Sequence, residues 1–276
     1  MMYEKICPDI DYEAHGLKKG DREVYIETYV PTPSCPNVPV RPAVIIFPGG
    51  GYGALSPREA EPIAHAFNAQ GYAAFVLWYT ITPGEFPCAL LEAAWTVDHV
   101  RKNAEKWYID PNKILVCGFS AGGHLAASIG TLWDSPEVRD VLGFKNKEAR
   151  PNGMMLSYPV ISSGEFIEHG SFNNLLGSKA ADASLRARLS LENAVTSETP
   201  PAFIWHTSSD NCVDVNGSLR YAARLHELKI PVELHVYPVG GHGLGLGYYP
   251  ENNIDVPYVK SWADNLIEWL KLNKYL

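Results

Sequence analysis

Missing from this sequence of 276 residues is any apolar run approaching the roughly eighteen residues that a membrane-spanning helix needs, so no membrane partner is expected. Its opening, MMYEKICPDIDYEAHG, carries acids and a proline where a secretory leader needs an uninterrupted apolar stretch, and a cytoplasmic location is expected. Basic clusters are absent too. The formal net charge of −8 would repel a phosphate backbone overall, and nucleic acid is not expected as a partner. The five cysteines are odd in number and irregularly spaced, which gives no disulfide framework. Cys88 and Cys117 fall in apolar surroundings, and a structural role is expected for the set. Neither H-E-x-x-H nor a Cys/His cluster occurs, so no metal is expected. Neither G-x-G-x-x-G nor G-x-x-x-x-G-K-[ST] fits the glycine-rich stretch near residue 50, which removes the case for a nucleotide cofactor. Internal repeats, low-complexity tracts and long polar linkers are lacking as well. A single domain over residues 1–276 is expected, with oligomeric state left open.

What is present is the material of a large core: 46% apolar and 20% charged residues. Apolar strands alternate with helical periodicity along the chain. Strands are expected over Arg22–Val30, Ala43–Phe47, Ala73–Trp78, Lys113–Cys117, Met154–Ser157, Ala202–His206 and Val232–Tyr237. Helices are expected over Glu59–Gln70 (ending at Gly71), Cys88–Asn103, Ala121–Leu132, Val215–Leu228 and Val256–Leu272. Pro31–Pro42 has the composition of a proline-rich turn. Strands without polar alternation, separated by helices, imply an α/β fold with a mostly parallel sheet covered on both faces. The irregular stretch Pro159–Pro201 then becomes an insertion or cap over the carboxyl edge of the sheet, where ligands bind in open α/β folds.

Gly118-Phe119-Ser120-Ala121-Gly122 fits the nucleophile-elbow pattern G-x-S-x-G. The pentapeptide alone is a weak signal; its setting, between an apolar strand and a helix of small residues, strengthens it. A serine on so sharp a turn needs neighbours without bulk. The turn pushes Oγ clear of the sheet and puts the Ala121 amide and the helix dipole where an oxyanion would form. Pro48-Gly49-Gly50-Gly51-Tyr52 follows the first buried strand, and bare glycine backbone can approach a tetrahedral intermediate closely. Gly50 and Gly51 are expected to donate there together with Ala121. Downstream, His242 lies between glycines just past the strand Val232–Tyr237, where a general base would reach Ser120. The other histidines sit less well: His124 is in the nucleophile helix, His235 in mid-strand, His169 in the insertion and His226 on a helix. For the acid, Asp210 and Asp214 both follow the strand Ala202–His206. Asp210 is nearer the strand end and is preferred, with Asp214 better suited to cap the next helix.

Phe47-Pro48-Gly49-Gly50-Gly51-Tyr52, Gly118 to Ala126, Trp205-His206-Thr207-Ser208-Ser209-Asp210 and Gly241-His242-Gly243-Leu244 occur in this order. Together they resemble the α/β-hydrolase esterases of the acetyl esterase and xylan esterase type, with kin in the hormone-sensitive-lipase-like and feruloyl-esterase-like groups. The resemblance spans roughly residues 20 to 272 and implies the α/β-hydrolase fold. It also implies a Ser120–His242–Asp210 triad and hydrolysis of short-acyl esters, such as acetylated sugars or xylo-oligosaccharides, with no cofactor. Three departures stand out: Pro48 replaces the histidine usual in the glycine motif, Asp214 replaces a proline, and Thr80 replaces an arginine commonly found after Tyr79. Trp78, Tyr79, Tyr158 and Trp205 lie near strand ends and are candidates to stack on a sugar ring. Competing readings are a prolyl-oligopeptidase-like peptidase, an arylformamidase-like amidase, or a non-catalytic binding protein on a hydrolase scaffold.

Overall fold

Residues with side chains on alternate faces give the central strands two buried faces. In β3 (Arg41–Phe47), Ala43, Ile45 and Phe47 join one apolar cluster while Val44 and Ile46 join the other. The computed structural model describes residues 1–33, 39–164, 169–249 and 254–276. Part of the expected proline-rich turn (34–38) and part of the expected insertion (165–168) lie outside the described residues.

Eight strands form one sheet: β1 (Lys5–Ile6), β2 (Tyr25–Tyr29), β3, β4 (Ala73–Trp78), β5 (Ile109–Phe119), β6 (Gly153–Ser157), β7 (Ala202–Thr207) and β8 (Val232–Tyr237). Their order is β1-β2-β4-β3-β5-β6-β7-β8. The pairs β1/β2 and β2/β4 are antiparallel, and every other pairing in this sheet is parallel. Helices cover both faces. The cluster on one face draws on α1 (Glu61–Ala69), through Ile63 and Phe67, and on α8 (Pro257–Leu272), through Trp262, Leu266 and Trp269. The opposite cluster draws on α2 (Cys88–Lys102), α3 (Ala121–Leu132) and α7 (Asn216–Glu227), through Val97, Leu125 and Leu225. The chain runs from β3 to β4 on one side and then to β5 on the other. The crevice beyond the carboxyl ends of β3 and β5 is therefore a topological switch point.

The expected strands and helices form, with ends shifted by a few residues. The structure adds short elements: β1, α4 (Pro136–Leu142) and an antiparallel pair of β9 (Tyr248–Tyr249) and β10 (Ile254–Asp255). Within 159–201 the chain forms α5 (His169–Leu176) and α6 (Ala183–Arg188). Among the described residues no helix is long and apolar enough to cross a membrane. Cys88 and Cys117 are buried as expected. Cys7 and Cys212 are exposed, which corrects the structural role expected for the whole set. Spacing could not reveal that these two stand on loops.

The Thr80 departure has a visible consequence. The carboxylate of Glu92, on α2, is fully buried and accepts hydrogen bonds from Thr80 N (2.7 Å), Thr80 Oγ1 (2.5 Å) and Tyr12 Oη (2.9 Å). No cation pairs with it among the described residues. Burial pushes this carboxyl up to about 7 against the pull of the three donors. The native state thus holds the proton more tightly than the unfolded chain, whose carboxyl titrates near its usual value. Between that value and about 7 the unfolded chain ionises first, so this group's contribution to stability falls as pH rises and levels off above about 7. Glu92→Gln is expected to remove that slope, an excursion of at most about 3 kcal/mol. Denaturation midpoints of wild type and variant from pH 5 to 8 check this; parallel curves would mean that Glu92 is ionised throughout.

Candidate active site

The turn between β5 and α3 works because two glycines lack a Cβ. A Cβ on Gly118 would run into the carbonyl of Gly122, and one on Gly122 into the carbonyl of Phe47 on the neighbouring strand. Between them Ser120 takes a left-handed backbone, φ 53° and ψ −118°, which costs energy for any residue with a side chain. Its N–H is held by the Ser157 carbonyl at 3.0 Å, and its carbonyl accepts the N–H groups of Val160 (3.1 Å) and His124 (3.0 Å). The elbow is strained but tied on both sides.

Three expected residues come together here. His242 Nε2 lies 2.7 Å from Ser120 Oγ, and His242 Nδ1 lies 2.7 Å from Asp210 Oδ2. The Asp210 carboxylate is fully buried, and its other oxygen accepts the N–H groups of Cys212 (2.9 Å) and Val213 (3.0 Å). Burial alone would lift its pKa. Hydrogen bonds from His206 and His242 outweigh burial and hold it well below the usual carboxylate range. An ionised Asp210 places the imidazole proton on Nδ1 and leaves Nε2 free to accept the Ser120 proton. His206 was not singled out by sequence reasoning. It is buried, with Nε2 3.3 Å from Asp210 Oδ2 and 3.0 Å from the Val213 carbonyl, and Nδ1 2.8 Å from Ser218 Oγ. Asp214 instead accepts the Asn216 N–H at 2.8 Å and belongs to the start of α7.

The glycine loop brings Gly50 (φ 130°) and Gly51 (φ 63°) to the same crevice, both in backbone conformations that favour glycine. They line, with Ser56, Arg58, Glu59, Ser120, Ser171, Cys212, His242 and Gly243, a cavity of about 250 Å³. Ala121 opens α3 directly after the serine. The amides of Gly50, Gly51 and Ala121 make no hydrogen bond within the described residues.

Pro48 changes how this loop is anchored. Its carbonyl accepts Tyr79 Oη–H (2.5 Å), Gly49 N–H donates to Glu59 Oε2 (2.9 Å), and Asn174 Nδ2 donates to the Gly51 carbonyl (2.8 Å). Tyr52 Oη is 2.9 Å from His124 Nδ1. Burial pushes His124 down to about 4, so it is neutral at ordinary pH. Its Nε2–H then donates to the Leu189 carbonyl (3.0 Å), leaving Nδ1 to accept from Tyr52. No local pattern marks Glu59, Asn174 or the Tyr52–His124 pair, because each contact joins separate elements.

The aromatic platform is not there. Tyr79, Tyr158 and Trp205 are buried, their polar tips bonded to Pro48, Glu59 and Ser157. Trp78 packs against Tyr25 and donates to Glu27 on β2. Strand ends in a sheet covered on both faces still lie inside the core, and these rings serve packing rather than a sugar.

A family model described as BD-FAE matches residues 27–225. The chain belongs to the BD-FAE family. This BD-FAE chain is 35% identical over 243 residues to an acetylxylan esterase of Xylanibacter ruminicola, covering 86% of itself and 46% of that protein. It is 38% identical over 213 residues to endo-1,4-beta-xylanase B of Butyrivibrio fibrisolvens, covering 74% of itself and 32% of that protein. It therefore spans less than half of the length of each of these two relatives. Among solved structures, an acetyl ester-xyloside bifunctional hydrolase from Caldicellulosiruptor lactoaceticus superposes with a TM-score of 0.83 at 36% identity, over 99% of this chain and 97% of that one. A carboxylesterase from Lactobacillus plantarum gives 0.84 at 26% identity, covering 100% and 99%. The α/β-hydrolase fold and the esterase kinship expected for this BD-FAE chain are both present.

Asp210→Asn removes the acceptor that sets the imidazole tautomer and is expected to lower turnover of p-nitrophenyl acetate about 10⁴-fold. Asp214→Asn, which alters only the start of α7, is expected to stay close to wild type. Steady-state kinetics of the two variants decides it, and equal losses would mean that the acid has been misassigned.

Proposed function

We propose that this chain is a serine carboxylic-ester hydrolase for small short-acyl esters, acetyl groups on sugars or xylo-oligosaccharides among them. The observation that carries the reading is the unbroken relay of two 2.7 Å contacts, Ser120 to His242 to Asp210, with Ser120 and His242 in the wall of the cavity lined by Gly50 and Gly51. Ser120, His242 and Asp210 act as nucleophile, general base and orienting acid. Gly50, Gly51 and Ala121 supply oxyanion donors.

His242 Nε2 takes the Ser120 proton as Oγ attacks the ester carbonyl. The amides of Gly50, Gly51 and Ala121, unpartnered among the described residues, stabilise the negative oxygen of the tetrahedral intermediate. Collapse breaks the bond to the alcohol, which leaves with the proton from His242, and an acyl-serine remains. Water then loses a proton to His242 and attacks the acyl carbon. Breaking the bond to Oγ frees the carboxylic acid and returns the proton to Ser120.

The cavity wall supports a small acyl group. A space of about 250 Å³ with no large apolar side chain among its ten lining residues suits a short acyl group better than a long chain. The names of the relatives point the same way on the alcohol side: one is an acetylxylan esterase, and one structural neighbour acts on an acetyl ester and a xyloside.

Hydrolysis of p-nitrophenyl acetate, butyrate and octanoate, alongside acetylated xylo-oligosaccharides, tests this. Wild type is expected to prefer acetate, and Ser120→Ala to lose at least about 10³-fold in kcat. Unchanged turnover by Ser120→Ala, or a preference for octanoate, would overturn the reading.

A further inference from the structure

The oxyanion loop follows β3 and the His242 loop follows β8, with β5, β6 and β7 between them in the sheet. Neither strand pairs with the other, so sheet hydrogen bonds do not set the distance between these two loops directly. A buried polar chain does cross that gap. Glu59 Oε2 accepts the N–H of Gly49 at 2.9 Å, and Glu59 Oε1 accepts the hydroxyl of Tyr158 at 2.6 Å. Tyr158 Oη in turn accepts the N–H of Gly245, three residues beyond His242, at 2.8 Å. The Gly245 carbonyl then accepts Trp262 Nε1–H on α8 at 3.0 Å.

We propose that Glu59 and Tyr158 are positioning residues, a carboxylate–phenol brace that holds the oxyanion loop in register with the loop carrying the general base. Four observations support it. Both residues are almost wholly buried, at 2% and 1% exposure, so water does not compete for these bonds. Tyr158 directly follows Ser157, whose carbonyl holds the Ser120 N–H, so the brace is seated at the elbow as well. Its φ of 37° is left-handed, a conformation that a bulky residue keeps only where its surroundings over-determine it. Its ring also meets the His242 imidazole edge to face, with centroids 5.0 Å apart.

Donor directions in the brace are fixed. Burial and the neighbouring Glu59 push the Tyr158 phenol far up, so it stays protonated and donates to the carboxylate while its oxygen accepts from Gly245. Phenylalanine at 158 keeps the ring against His242 and removes only the bridge. Glutamine at 59 keeps an acceptor for Gly49 and loses the acceptor for the phenol.

The role rests on the ester-hydrolase reading above, and it concerns the transition state rather than substrate binding. Tyr158→Phe is expected to lower kcat for p-nitrophenyl acetate about 10- to 100-fold per titrated active site, with KM within about threefold of wild type. Affinity for methylboronic acid, which forms a tetrahedral adduct on the serine, is expected to fall by the same factor. Glu59→Gln is expected to lose less, and the double variant no more than Tyr158→Phe alone. Counting active sites with a fluorophosphonate and recording Tm separate this outcome from plain destabilisation. Per-site kcat and boronate affinity within twofold of wild type in Tyr158→Phe would overturn the brace, whatever the change in Tm. A wild type that is labelled by the fluorophosphonate but cleaves no ester would overturn the ester-hydrolase reading alone. The brace would then stand or fall on whether Tyr158→Phe slows labelling.

Discussion

Everything at the site depends on one steric constraint: backbone must approach backbone around Ser120 more closely than a Cβ permits. Gly118 sits against the Gly122 carbonyl, and Gly122 against the carbonyls of Phe47 and Pro48. That second contact matters most, because it presses the first turn of α3 onto the end of β3, where the glycine loop begins. Ser120 and the glycine loop are therefore set by the same close approach. The left-handed strain at Ser120 is sustained by hydrogen bonds to Ser157, Val160 and His124, drawn from β6, the chain after it and α3.

Three buried carboxylates show how donors decide what a carboxylate can do. Asp210 receives two backbone N–H groups and the His242 ring, and it stays ionised despite burial, as the proposed role requires. Glu92 receives three donors but is more deeply enclosed, and its proton is held to near neutral pH. Glu59 spends its two oxygens on Gly49 and Tyr158, one on each side of the active-site crevice. Only Asp210 has a partner that can carry a proton onward. The other two are structural in the strict sense that their bonds join segments.

The parts of the site legible in the sequence are those whose chemistry is local. The elbow needs glycines two residues either side of a serine, and the base needs a loop beyond a strand; both patterns lie within a few consecutive residues. Asp210 and Asp214 are told apart in the sequence because one follows the strand end and the other precedes a helix, and the structure places only Asp210 against His242. What could not be read joins residues far apart in the chain. Glu59 meets Tyr158 across 99 residues, and Asn174 meets Gly51 across 123. The aromatic residues misled for a related reason. A tyrosine at a strand end has the same sequence signature whether its ring faces a crevice or the core. In this sheet the helices α1 and α8 close over Tyr158 and Trp205 and turn both inward.

That inward turn bears on how such a site discriminates. A cavity of about 250 Å³ with no large apolar side chain in its wall has no deep slot in which to bind a ground-state ester. The rings that would have supplied an apolar wall are committed to the frame, as Tyr158 is to Glu59 and Gly245. In the proposed mechanism, interaction energy is concentrated on groups that meet charge only as it develops: the Gly50, Gly51 and Ala121 amides and the histidine held by Asp210. An enzyme of that design gains rate through a rigid frame rather than through tight binding, and its selectivity resides in turnover more than in KM.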